Sequence, residues 1–243
     1  MTRPPHRDGR LRRVAAALAA ATALLLTGCS AFSAAAPETP APSPSATSSA
    51  QQPTAAAIGD SIAIGFGVPA DDAWPLVAAS RLGWDLTDLA EGGAGFTKPG
   101  VNSHVFDDQV SAAIRLRPQV VIIAATRNDA PTAAAEPATV KTATQAAVDR
   151  LATALPDTTI IGMGSVWGST AAPPAGAVID DALKTAVLGV GGHWLSIGQT
   201  FLGRPDLLLS DGVHPTSAGQ LALGRAVADA VAKARIEPHT SPR

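Results

Sequence analysis

From residue 55 to residue 236 the apolar positions fall into short unbroken runs separated by longer stretches with helical spacing. Runs at 55–58, 120–125 and 159–163 are continuous and bounded by glycine, proline or polar residues. That is the pattern of strands buried on both faces. Residues 84–89 and 193–197 suit a second and a last strand. Helical spacing occurs over 72–82, 104–116, 139–155, 179–188 and 217–234. The 139–155 stretch sets Val140, Ala143, Ala147, Leu151 and Leu155 on one face. Alternating strands and helices predict an α/β fold, a three-layer α/β/α sandwich with a mostly parallel, flavodoxin-like central sheet. No internal repeat interrupts it, so 55–236 reads as one domain, followed by a tail over 237–243.

The pattern before residue 55 is different. Residues 1–13 carry five arginines against one acid, Asp8, and residues 14–26 are uncharged Ala, Leu, Val and Thr. Thirteen residues are too few to span a bilayer, which takes about 20 in a helix, but they fit the apolar region of a secretory signal. Leu26-Thr27-Gly28-Cys29 follows, and a leucine, two small residues and a cysteine resemble a bacterial lipobox. That resemblance implies a signal peptide over 1–28, lipidation of Cys29 and an extracytoplasmic chain anchored to the outer face of the bacterial cell membrane. Cys29 is the single cysteine of the chain, which excludes a disulfide scaffold and a cysteine zinc site. The Ala/Ser/Pro-rich residues 29–54 have no apolar periodicity and read as a linker.

Composition narrows the function classes. A hydrophobic fraction of 46% with 16% charged residues is enough to build a core and excludes a wholly disordered chain. Loss of residues 1–28 would remove five of the 18 basic and one of the 20 acidic residues, leaving a formal charge of −6. Such a surface suits neither nucleic acid nor anionic headgroups, so membrane attachment would rest on the acyl chains.

Candidate chemistry collects where strands end. In an open α/β sheet, ligands bind beyond the carboxyl ends of the strands. Gly59-Asp60-Ser61 follows the first strand, Gly92-Gly93-Ala94-Gly95 the second and Arg127-Asn128-Asp129 the third. Asp211-Gly212-Val213-His214 precedes the last helix. A serine hydroxyl needs a base to take its proton, and histidine titrates near working pH. His214 can be that base, with Asp211 three residues earlier to orient the imidazole.

With these four blocks in this order, residues 55–236 resemble the SGNH hydrolases, also called the GDSL esterase/lipase family. Ser61 in Ile58-Gly59-Asp60-Ser61 is similar to the family nucleophile, and His214 with Asp211 to its last block. Asn128 before Asp129 matches the third block. Gly95, with Thr97 two residues on, matches the second, and Gly92 is the alternative. The resemblance implies a serine esterase acting on acyl or acetyl esters of small molecules or glycans, with no metal or other cofactor. It also implies an oxyanion hole of the Ser61 and Gly95 backbone N–H groups and the Asn128 amide. Two residues depart from the family pattern. Thr126 stands where a glycine is usual and would add a side chain near the oxyanion site. Ala90 stands where an asparagine is frequent.

Other residues carry weaker chemistry. His193 lies in an apolar strand and reads as structural, while His104 with Asp107 and Asp108 reads as a solvated helix start rather than a metal site, because no compact ligand spacing follows. Asp129 would support the Asn128 loop through turn hydrogen bonds. The tryptophans read as core, except that Trp167 follows a strand and could line the pocket. Gly-x-Ser-x-Gly, another serine-hydrolase signature, is absent around Ser61. The same blocks would serve an acyltransferase or a glycan O-deacetylase, and a catalytically silent surface binding protein could keep the fold. Pocket loops around 96–106 and 164–176 would choose among them. The blocks say nothing of oligomeric state.

Overall fold

The computed structural model describes residues 51–239. Cys29, the proposed signal peptide and all but the last residues of the proposed linker lie outside the described residues, as do the last four residues of the tail. Five parallel strands run β1 (Thr54–Ile58), β2 (Asp85–Asp88), β3 (Val120–Ala124), β4 (Thr159–Met163) and β5 (His193–Leu195). Their spatial order is β2-β1-β3-β4-β5. This is the flavodoxin-like order, in which the chain reverses its direction of travel across the sheet at β1.

Six helices cover the two faces: α1 (Trp74–Leu82), α2 (Phe106–Leu116), α3 (Ala130–Ala135), α4 (Pro137–Ala154), α5 (Pro174–Gly189) and α6 (Ser217–Ala234). The central strand β3 is buried at every residue and alternates its side chains between two cores. Val121 and Ile123 pack with Phe106, Val148 and Leu183 from α2, α4 and α5. Val120 and Ile122 pack with Trp74, Leu223 and Val227 from α1 and α6. A strand with period-two geometry and both faces covered must be apolar throughout, hence the unbroken Val-Val-Ile-Ile-Ala run.

The element boundaries follow local chemistry. Helix α6 begins where the Thr216 hydroxyl accepts from the Gly219 N–H and ends at Arg235 in a left-handed conformation. Helix α5 starts at Pro174, five residues before the expected 179, because proline suits a first turn and the apolar spacing begins only later. Helix α3 lies outside the elements that the sequence pattern predicts; its Pro131 sits in the first turn, where its missing N–H costs nothing. The last strand stops at Leu195, two residues short of the expected 197. Among the described residues no helix is long and apolar enough to cross a membrane.

Candidate active site

The register of β1 on β3 pairs Ile58 with Ile123. The chain leaving β1 and the chain leaving β3 therefore emerge side by side at the point where strand order reverses. Ser61 follows β1 by three residues and Asn128 follows Ile123 by five. The loop before α6 brings His214 to the same crevice.

Ser61 lies in a tight turn held from several sides. The Asp60 carbonyl accepts from the Ala63 and Ile64 N–H groups, at 3.0 and 3.2 Å. The Asp60 side chain accepts from the Ile62 N–H at 2.9 Å. Gly59 has to be glycine, because a Cβ there would stand 2.6 Å from that of Ala63. Its own amide is clamped by Gln109, whose side chain accepts from the Gly59 N–H and donates to the Gly59 carbonyl, each at 2.9 Å. Gln220 does similar work from α6. It accepts from the Trp74 N–H at 3.0 Å and donates to the Ile62 carbonyl at 2.9 Å. Among the described residues the Ser61 N–H has no protein acceptor. The sequence reading did not single out Gln109 or Gln220. The available signal was a glutamine on an otherwise apolar helical face, beside Phe106 and Ala113 in α2 and beside Leu223 and Val227 in α6.

The three polar side chains form one hydrogen-bonded line. His214 Nε2 lies 2.9 Å from Ser61 Oγ, and His214 Nδ1 lies 2.7 Å from Asp211 Oδ2. Asp211 also accepts from the Val213 and His214 N–H groups, at 2.9 and 3.0 Å. The hydrogen bond to the imidazole and the two from backbone hold its carboxyl well below the usual range, at about 2. An ionised carboxylate can only accept, so Nδ1 carries the proton and the Nε2 lone pair faces the serine hydroxyl. Phe66, half exposed, packs on the imidazole with ring centroids 4.5 Å apart.

The third block is built around the buried Asp60. Thr126, itself buried, donates from Oγ1 to Asp60 Oδ2 at 2.5 Å and accepts from the Asn128 N–H at 3.1 Å. The hydroxyl thus points at the carboxylate beneath the crevice. Burial pushes the Asp60 carboxyl above the usual range, opposed by the hydrogen bonds from Thr126 and the Ile62 N–H. Asn128 Nδ2 donates to the Ala94 carbonyl at 2.9 Å and makes a long contact of 3.4 Å with Asp60 Oδ2. Asp129 is fully buried and accepts from the Phe96 N–H, the Thr97 N–H and the Thr97 hydroxyl, at 2.7 to 2.9 Å. It ties the second block to the third across more than 30 positions, in place of the local turn hydrogen bonds expected within the Asn128 loop.

Gly95 sits differently from the expectation. Its N–H donates to the Lys98 carbonyl at 2.8 Å, so it is not a free donor in this arrangement. Its lack of a side chain serves Asp129, whose carboxylate would lie 2.7 Å from a Cβ at this position. The alternative, Gly92, has no protein acceptor for its N–H among the described residues. Two histidines stand outside the site. His193 is exposed at the start of β5, the end of the sheet opposite the crevice. His104 pairs with Glu91 at 2.9 Å, and that hydrogen bond joins the one from the Asn102 N–H in lowering the Glu91 carboxyl against the effect of burial. Among the described residues no group of three or more His, Cys, Asp or Glu side chains is placed to hold a metal ion.

A parallel α/β sandwich with serine, histidine and aspartate in line at its switch point has the layout of a serine hydrolase. The family model described as GDSL-like lipase/acylhydrolase matches residues 57–222, and the chain belongs to that family. A curated relative, the GDSL lipase Rv0518 of Mycobacterium tuberculosis (strain ATCC 25618 / H37Rv), is 26% identical over 154 residues. That match covers 60% of this chain and 64% of the relative, so the chain spans a little under two thirds of its length. Two solved structures share the fold. The psychrotrophic esterase EstA from Pseudoalteromonas sp. superposes with a TM-score of 0.60 at 16% identity, over 76% of this chain and all of that one. The salicylyl-acyltransferase SsfX3 from a tetracycline biosynthetic pathway gives 0.61 at 18% identity, over 79% and 57%.

Proposed function

We propose that this protein is a serine esterase that hydrolyses acyl or acetyl esters through an acyl-enzyme on Ser61. The observation that carries the reading is the unbroken line from Ser61 Oγ through His214 to Asp211, with contacts of 2.9 and 2.7 Å. His214 Nε2 takes the serine proton as Oγ bonds to the ester carbonyl carbon. The carbonyl oxygen becomes an oxyanion, and the donors assigned to it are the Ser61 N–H and the second N–H of the Asn128 amide, which must leave its long 3.4 Å contact with Asp60 Oδ2 to serve it. Gly95 would join them only if the 95–98 turn opened. Collapse of the intermediate expels the alcohol, which takes its proton from His214. Water, deprotonated in turn by His214, then releases the acid. Asp211 holds the imidazole tautomer and stabilises the imidazolium throughout.

Apolar side chains at the rim give the acyl group a resting surface. Ile64 and Val101 both approach Gly92, and both are exposed, Val101 by 80%. Turnover of p-nitrophenyl acetate by the folded domain, lost in Ser61→Ala, is the expected result. A wild-type protein that shows no burst and no turnover on short acyl esters would refute the reading in favour of a silent binding protein.

A second reading keeps the same acyl-enzyme and passes the acyl group to an alcohol instead of water. The fold likeness to an acyltransferase favours considering it. Partitioning between acid and new ester in the presence of added alcohols separates the two.

The place of action is proposed from the sequence pattern alone: an extracytoplasmic enzyme held at the membrane by lipid on Cys29. Cys29→Ser should abolish incorporation of labelled lipid and release activity from the membrane fraction. Unchanged membrane partitioning of a correctly processed variant would rule the anchor out.

A further inference from the structure

Three of the arginines around the domain answer an acid. Arg81, Arg150 and Arg204 each pair with an aspartate at 2.8 to 3.0 Å. Arg127 does not. Among the described residues it forms no salt bridge, and none of its guanidinium N–H groups has a protein acceptor, although the residue is partly buried. Its charge reaches the buried Asp60 through space, but its N–H donors still lack an acceptor, which is unfavourable unless something else supplies one.

Its surroundings are built rather than incidental. The guanidinium lies over the Trp167 ring, 5.3 Å from the centroid. A cation–π contact of this kind does not use up the guanidinium N–H donors, which stay available to an acceptor. Trp167 is itself pinned: its Nε1 donates to Ser165 Oγ at 2.7 Å, which donates in turn to Asp180 at 2.7 Å. Burial raises the Asp180 carboxyl, against the hydrogen bonds from Ser165. Arg127 and Trp167 wall a cavity of about 420 Å³ whose other sides include Gly168, Ser169, Gly212 and Val213. That volume is within the range of small-molecule sites. Gly168 packs so closely on the next loop that a Cβ would stand 2.5 Å from the Gly212 carbonyl oxygen.

Gly212 and Val213 are the two residues between Asp211 and His214, so this cavity opens beside the base. The leaving oxygen of an ester must reach His214 Nε2 to be protonated, which places the alcohol part of the substrate on the side of that loop. The exposed apolar residues at Ile64 and Val101 flank Gly92 instead and suit the acyl part. We infer that the cavity between Arg127, Trp167 and the 211–214 loop is a subsite for a carboxylate on the substrate's leaving alcohol. The guanidinium fork binds the carboxylate in its plane and the indole covers the adjoining carbon framework. The inference rests on the esterase reading above.

The test compares 4-acetoxybenzoate with its neutral isostere 4-acetoxybenzamide, following release of the phenol. Arg127→Gln should lower kcat/KM for the carboxylate ester about 10- to 100-fold, the range for a lost charge-assisted hydrogen bond. The amide ester should change by less than about threefold. Arg127→Lys, which keeps the charge but not the fork, should fall between them. Equal losses on both esters would overturn the subsite and make Arg127 a general electrostatic support of the oxyanion; no loss on either would overturn it as well. Calorimetric titration of Ser61→Ala with 4-hydroxybenzoate and 4-hydroxybenzamide needs no turnover. Preferential binding of the carboxylate, lost on adding Arg127→Gln, supports the subsite even if ester hydrolysis fails. Equal binding of the two refutes it even if hydrolysis succeeds.

Discussion

Thr126 holds the buried carboxylate of Asp60 through a hydroxyl 2.5 Å from Oδ2, while accepting from the backbone N–H of Asn128 at 3.1 Å. One side chain thus couples the loop that follows β1 to the loop that follows β3. Glycine, usual at this position in the family the chain resembles, could not make either contact. The substitution is therefore an internal brace and does not line the crevice.

Thr126→Gly should accordingly weaken the site instead of enlarging it. The variant leaves Asp60 buried with one donor fewer, a loss of about 1–3 kcal/mol in stability. Rates on acetyl and bulkier esters should fall together, because the Asn128 amide loses its support. Thr126→Ser should recover most of both. Thermal melts with kcat/KM across acyl lengths decide it, and a gain on bulky acyl groups alone would restore the crowding explanation.

Asn128 and Ser61 separate binding from chemistry. If Asn128 donates to the oxyanion as proposed, that hydrogen bond should strengthen as charge builds on the carbonyl oxygen, and Asn128→Ala should lower kcat by about 10²–10³ with little change in KM. The variant also frees the Ala94 carbonyl, which a melting curve would register. Near-full kcat in Asn128→Ala would place the third block outside the reaction.

Asp211 should be silent in the pH profile of the reaction. Its carboxyl titrates at about 2 in the folded chain, below the ordinary aspartate value near 3.9. Because the folded value is depressed, its contribution to stability is complete above about pH 4 and is lost as pH falls through about 2. It stays ionised across the working range and adds no inflection to kcat/KM there. Any acid limb of kcat/KM should then follow a single proton, with none contributed by Asp211. Asp211→Asn should cut kcat by about 10²–10⁴, since the amide no longer selects the productive tautomer. A two-proton acid limb in the wild type would contradict this arrangement.

Gln220 and Gln109 clamp the backbone on either side of Ser61. Gln220→Leu strands the Trp74 N–H and the Ile62 carbonyl in the interior, which should cost about 1–3 kcal/mol for each group left unpaired. If the clamp also aims the nucleophile, kcat should fall while KM holds. A destabilised variant with unaltered kcat, measured well below its melting temperature, would reduce Gln220 to a purely structural role.

Much of this protein is legible in one dimension. The parallel sandwich follows from runs such as Val120 to Ala124, because a strand covered on both faces cannot afford a polar residue. The Asp211–His214 pair is a local motif, and Ser61 and Asn128 stand where any open α/β sheet presents its chemistry. What the chain order conceals is contact across long separations. Gln220 meets Ile62 across 158 positions and Thr126 meets Asp60 across 66, and neither pairing has a periodicity to reveal it. Gly95 turns its N–H to Lys98, and Arg127 finds Trp167 rather than an acid. Residue types and strand ends follow from local pattern and hydrophobic burial, which sequence encodes directly. Which donor meets which acceptor depends on strand register and helix packing, and only the assembled tertiary structure decides it.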